Sequence, residues 1–129
     1  MPSRSWAPPA RYDLPRTLWA LRRGRGDPAC QLEAGGIWWR TSRTPDGSVT
    51  LRITDHPDIM TGRLITGTAW GPGAQWALEQ LPALLGADDD PEAFRPRHGV
   101  VAAAHRKHAG LRLPRTSLVL EALVRSVLE

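Results

Sequence analysis

The spacing of apolar and polar residues changes along the chain, and each change predicts a different element. Residues 1–11 are polar and proline-rich and predict an arm or a short edge strand. Asp13 then offers a side chain that can cap a helix, with Pro15 tolerated in the first turn. Leu14, Leu18 and Leu21 stand at i, i+4 and i+7, which is one apolar helix face, and Gly24 is placed to end it. Residues 37–41 are rich in β-formers. Pro45-Asp46-Gly47 is a turn, because proline fixes one φ and glycine accepts a positive one. Val49, Leu51 and Ile53 alternate with Thr50, Arg52 and Thr54, so this strand buries one face and wets the other. His56-Pro57-Asp58 is expected to break it, and a third strand is expected over residues 59–70. The result is an antiparallel meander.

From Pro72 the period becomes helical. Ala74, Ala77, Leu78, Leu81, Leu84 and Leu85 line one face, and Pro82, which lacks an N–H, predicts a kink or a split. Residues 100–109 predict another helix, closed by Gly110, with Arg106 and Lys107 in a last turn where cations suit the helix dipole. Leu111-Arg112-Leu113-Pro114 should be extended, since Pro114 disfavours helix at Leu113. A final helix is expected from a cap at Thr116 or Ser117. It is mostly apolar, with Glu121, Arg125 and Glu129 forming one narrow stripe at four-residue spacing. A helix of that composition has to be covered on most sides. With no further elements after Glu129 to cover it, the pattern predicts a truncated domain.

Composition narrows the class. With 129 residues, 41% apolar and 23% charged, the chain suits one globular domain with a modest core. No apolar run approaches the roughly 20 residues of a membrane span. Met1-Pro2-Ser3-Arg4-Ser5-Trp6 has no signal-peptide core, which predicts a cytoplasmic protein with no membrane partner. The single cysteine, Cys30, leaves no internal disulfide and no cysteine metal cage. The net charge of +4 favours a polyanionic partner only weakly. Lys107 is the only lysine, and an arginine excess with abundant Ala, Gly and Pro is also what a GC-rich genome produces. The distribution is more telling: residues 95–115 hold six Lys/Arg and no acid, just after the acidic turn Asp88-Asp89-Asp90.

One segment carries a resemblance. Ala109-Gly110-Leu111-Arg112-Leu113-Pro114, followed by Leu118-Val119-Leu120-Glu121-Ala122-Leu123-Val124-Arg125-Ser126-Val127-Leu128-Glu129, resembles the start of the catalytic domain in the 3-methyladenine DNA glycosylase II family. That family belongs to the helix–hairpin–helix glycosylases. Over the rest of the chain only the order of elements is similar. The resemblance implies an α+β fold for residues 1–88, an antiparallel sheet with packed helices resembling the TATA-binding-protein fold. Residues 98–129 would be the first helices of an all-α domain. It further implies base excision repair of alkylated DNA, with double-stranded DNA as the partner of the intact protein and no cofactor or metal. The base is flipped out for cleavage of its glycosidic bond, because that bond is shielded within the stack. The family's catalytic aspartate, its helix–hairpin–helix and its wedge residue all lie beyond position 129. No catalytic residue carries over, and this chain alone is expected to be inactive. The missing catalytic domain is expected to pack on the helix of residues 116–129. The family draws one substrate-pocket aromatic from the first helix of this domain. It aligns near Ala20, and the adjacent Trp19 takes that role with a one-residue shift.

Several residues invite other chemistry. Six tryptophans suit base stacking, but Trp38, Trp39, Trp70 and Trp76 equally suit sheet and core packing. Trp38 and Trp39 point to opposite faces, so one of them is exposed or covered by something else. His105 and His108 have metal-ligand spacing without an evident third ligand. Arg106, Lys107, Arg112 and Arg115 are candidates for DNA phosphate contacts, although Arg112 and Arg115 equally suit pinning two domains together. The alternative function is a stand-alone basic α+β module that binds nucleic acid or protein.

Overall fold

The computed structural model describes residues 1–128. Five antiparallel strands form one sheet: β1 (Ser3–Trp6), β2 (Cys30–Glu33), β3 (Ile37–Thr44), β4 (Gly47–Asp58) and β5 (Gly62–Trp70), in the order β1-β5-β4-β3-β2. The helices are α1 (Leu14–Trp19), α2 (Ala74–Glu79), α3 (Leu81–Leu84), α4 (Gly99–Lys107) and α5 (Val119–Leu128). The fold is α+β, a sheet with packed helices.

The central meander follows from the period-two pattern. Val49, Leu51 and Ile53 of β4 are buried, and the residues between them are half-buried on the other face. Pro45 and Asp46 make the turn into β4, where Gly47 has φ +125°. Strand β4 does not break at Pro57 but runs to Asp58, paired with β5 as far as Asp58↔Gly62. The pairing of β3 with β4 has already stopped at Trp38↔Ile53. Pro57 therefore lies on an edge, where its missing N–H is tolerated. The N-terminal arm is edge strand β1, paired with β5 from Ser3↔Thr68 to Trp6↔Ile65.

Helix α1 is capped by Asp13, whose carboxylate accepts the Arg16 N–H at 3.0 Å. It ends at Trp19, earlier than Gly24, and Leu21 packs from the following turn as a half-buried neighbour of the core. The helix after Pro72 splits at Gln80, just before Pro82, into α2 and α3. Together α1, α2 and α3 place Leu14, Leu18, Ala77, Leu78, Leu81, Leu84 and Leu85 against Trp38, Leu51, Ile53 and Ile65 of the sheet. Tyr12 closes this core, donating its hydroxyl to the Leu85 carbonyl at 2.5 Å. Gly67 lets α3 approach, since a Cβ there would lie 2.9 Å from Leu81 Cδ2.

No helix among the described residues is long and apolar enough to cross a membrane.

Candidate functional site

The chain after α3 is tied back onto the sheet domain by its backbone. The Asp13 N–H donates to the Gly110 carbonyl at 2.9 Å, and the Arg112 N–H donates to Thr17 Oγ1 at 3.1 Å. A side chain at position 110 would collide with the Arg11 carbonyl, so only glycine allows this approach. These bonds bring His108 and Leu111 beside the first turn of α1. With Asp13, Pro15, Arg16 and Trp19 they line an open cleft. Trp19 is 59% exposed on this cleft, so its ring is presented to solvent and not consumed in the core. Ala20 lines a different depression, with Arg40, Glu121 and Arg125. The two pocket candidates of the first helix thus face separate spaces, and the aromatic one faces the larger.

The four basic candidates divide into pairs. Arg106 and Lys107 are exposed in the last turn of α4, which buries none of its residues. Arg112 and Arg115 meet the acidic turn instead. Arg112 Nη1 donates to the Asp89 carbonyl at 3.0 Å, and Asp89 Oδ2 accepts the Leu113 N–H at 2.9 Å. Arg115 pairs with Asp88 at 3.4 Å, and its N–H donates to the Ala83 carbonyl. The proximity of Asp88 and Asp89 accounts for these contacts. His105 packs edge-on against Phe94, with ring centroids 5.2 Å apart, while His108 turns to the Trp19 cleft. No group of three or more His, Cys, Asp or Glu is placed to hold a metal ion among the described residues. Cys30 is buried, and burial pushes its thiol up, away from the reactive thiolate.

Helix α5 begins at Val119, three residues after Thr116, whose hydroxyl accepts the Leu118 N–H. Its polar stripe points inward. Glu121 accepts from Arg40 Nη2 at 2.8 Å, and the Arg40 side chain is only 10% exposed. One turn on, Arg125 pairs with the buried Asp27. Burial alone would raise the Asp27 carboxyl. The N–H groups of Arg23 and Ala29 and the Arg125 guanidinium outweigh it and hold the carboxyl below the ordinary carboxylate range. The apolar side consequently points out: Val119, Leu120, Leu123, Val124, Val127 and Leu128 are between 46% and 80% exposed. Glu129, the last member of the expected stripe, lies outside the described residues.

The sheet has a second surface that the periodicity only half revealed. Trp38 is buried in the core, and Trp39 lies on the opposite face. There it stacks on Trp70, with centroids 5.8 Å apart and 24° between the planes, and Arg52 lies over both rings. Strand alternation puts Trp39 and Trp70 on that face, but their meeting across β4 depends on register.

Comparison with known protein families, curated proteins and solved structures finds no match to this chain.

Proposed function

We propose that this chain is the front part of a DNA glycosylase that excises alkylated bases in base excision repair. In this reading residues 1–88 are its α+β domain, and residues 98–129 open the helical catalytic domain. The observation that carries the reading is the orientation of α5. Its Glu121 and Arg125 anchor it to the sheet domain by part-buried ion pairs, and its apolar side is left outward. Monomeric surfaces rarely present so many large apolar side chains side by side. A helix held in this way suits a junction, fixed to one domain by charge and ready to be covered by a second, all-α domain. The residues that resemble the glycosylase family are those of this junction.

The same reading gives Trp19 a role. It is an exposed ring at the edge of a cleft, available to stack against a base that the intact enzyme has flipped out. Arg106 and Lys107 on α4 meet duplex phosphates, while Arg112 and Arg115 hold the connecting segment to the Asp88–Asp89 turn. The base-releasing aspartate is supplied from outside these residues, so the chain by itself cleaves no glycosidic bond.

The coding sequence beyond Glu129 tests this reading. A glutamine next, followed by a helix–hairpin–helix and an aspartate, supports it. A stop codon at that point contradicts it and leaves the stand-alone binding module.

A further inference from the structure

The open face of the sheet combines aromatic, cationic and polar side chains. Near its middle, Trp39 and Trp70 stack, and the Arg52 guanidinium lies 5.9 and 5.7 Å from their ring centres. The Trp39 ring is fixed from the side, because its Nε1 donates to Glu33 at 2.8 Å. Arg52 Nε is buried and has no hydrogen-bond partner. Each tryptophan also borders a shallow depression. Trp39 lines one of about 410 Å³ with Gln31 and Thr41, and Trp70 lines another of about 730 Å³ with Arg43 and Thr50. Beyond the stack the face is polar: the Thr66 hydroxyl meets both the Ser5 hydroxyl and His56 Nε2 at 2.9 Å.

We propose that this face is a platform for unpaired nucleic acid, with bases stacking on Trp39 and Trp70 and phosphates meeting Arg52 and Arg43. Aromatic rings beside an arginine on an open antiparallel sheet are how single strands are held without regard to sequence, because every base offers a π-face. The face does not suit a protein helix or strand, which would need an apolar groove. Aliphatic side chains appear on it only toward one end, at Ile37 and Leu64. Arg52 beside the rings and the exposed Arg43 offer cations for phosphates, while Glu33 and Asp58 are held by the Trp39 ring and by the N–H groups of Met60 and Thr61. The inference does not rest on the glycosylase reading, since it uses neither the apolar side of α5 nor the Trp19 cleft; α5 enters only through Glu121, which borders the Trp70 depression.

The test titrates the 129-residue chain with a labelled oligothymidylate of about ten nucleotides, within the site size of such platforms. Anisotropy and tryptophan quenching are read at low salt. Saturable binding with quenching is expected, and Trp39→Ala and Trp70→Ala should each weaken it about tenfold. Thr41→Asp keeps both rings and puts a negative charge beside them, so it should weaken binding while the melting curve stays unchanged. It decides the matter if a tryptophan variant fails to fold. Absence of saturable binding would overturn the proposal. So would binding that survives Trp39→Ala, Trp70→Ala and Thr41→Asp.

Discussion

Asp27 joins two parts of the chain far apart in sequence. Its carboxylate accepts N–H groups from Arg23 and Ala29 in its own loop and pairs with Arg125 on α5, while its side chain is only 3% exposed. Removing one member of a buried pair typically costs about 3–5 kcal/mol, and the 22% exposure of Arg125 puts this pair at the low end. Asp27→Ala is therefore expected to destabilise the chain by about 3 kcal/mol in a denaturant melt. Arg125→Met should cost less, because Asp27 keeps its two N–H donors, but it should raise amide hydrogen exchange in α5 selectively. The pair also has a pH signature. The folded-state pKa of Asp27 is depressed, so its contribution is fully present above the unfolded value of about 3.9 and is lost as pH falls through the lower folded value. Asp27→Asn should flatten this acid limb of the stability curve. An unchanged limb would mean that the contact does not hold α5 in solution.

At the scale of elements, α5 is inverted relative to an ordinary surface helix. Its stripe of charge at four-residue spacing was legible in the sequence, but not the direction it faces. That direction is set by Arg40 on β3 and Asp27 before β2, which stand 81 and 98 positions from their partners, and local periodicity carries no record of such distant groups. The central hairpin was legible for the opposite reason. Alternation in β4, the Pro-Asp-Gly turn and the proline at position 82 all act within a few residues. Strand β2 was invisible because Cys30-Gln31-Leu32-Glu33 has no β-branched or aromatic residue. It is a strand by virtue of its pairing with β3. Trp19 was legible as an aromatic on a short helix, but its cleft depends on the distant Gly110 reaching Arg11. The outward apolar side of α5 yields a sharp expectation. Leu123→Glu with Val127→Glu should leave stability within about 0.5 kcal/mol, as substitutions at exposed positions usually do. The pair should also suppress concentration-dependent association of the chain in sedimentation. A large fall in melting temperature would show that the chain itself buries those side chains.

At the scale of the molecule, three surfaces surround one core: the Trp19 cleft, the apolar side of α5 and the open face of the sheet. Their chemistry differs enough for separate partners. The glycosylase reading uses the first two and adds the basic end of α4 as a contact to duplex phosphates. Replacing Arg106 and Lys107 by alanine should weaken duplex binding regardless of sequence and reduce the slope of log affinity against log salt by about two. A slope that does not change would move the duplex elsewhere. The central claim is that this domain serves base excision, and base release tests it most directly. DNA carrying N-methylated purines is incubated with the product of the complete reading frame and, in parallel, with residues 1–129, and abasic sites are counted. Abasic sites are expected from the complete product and none above background from residues 1–129. Turnover by residues 1–129, or a complete product that releases no base, would contradict it.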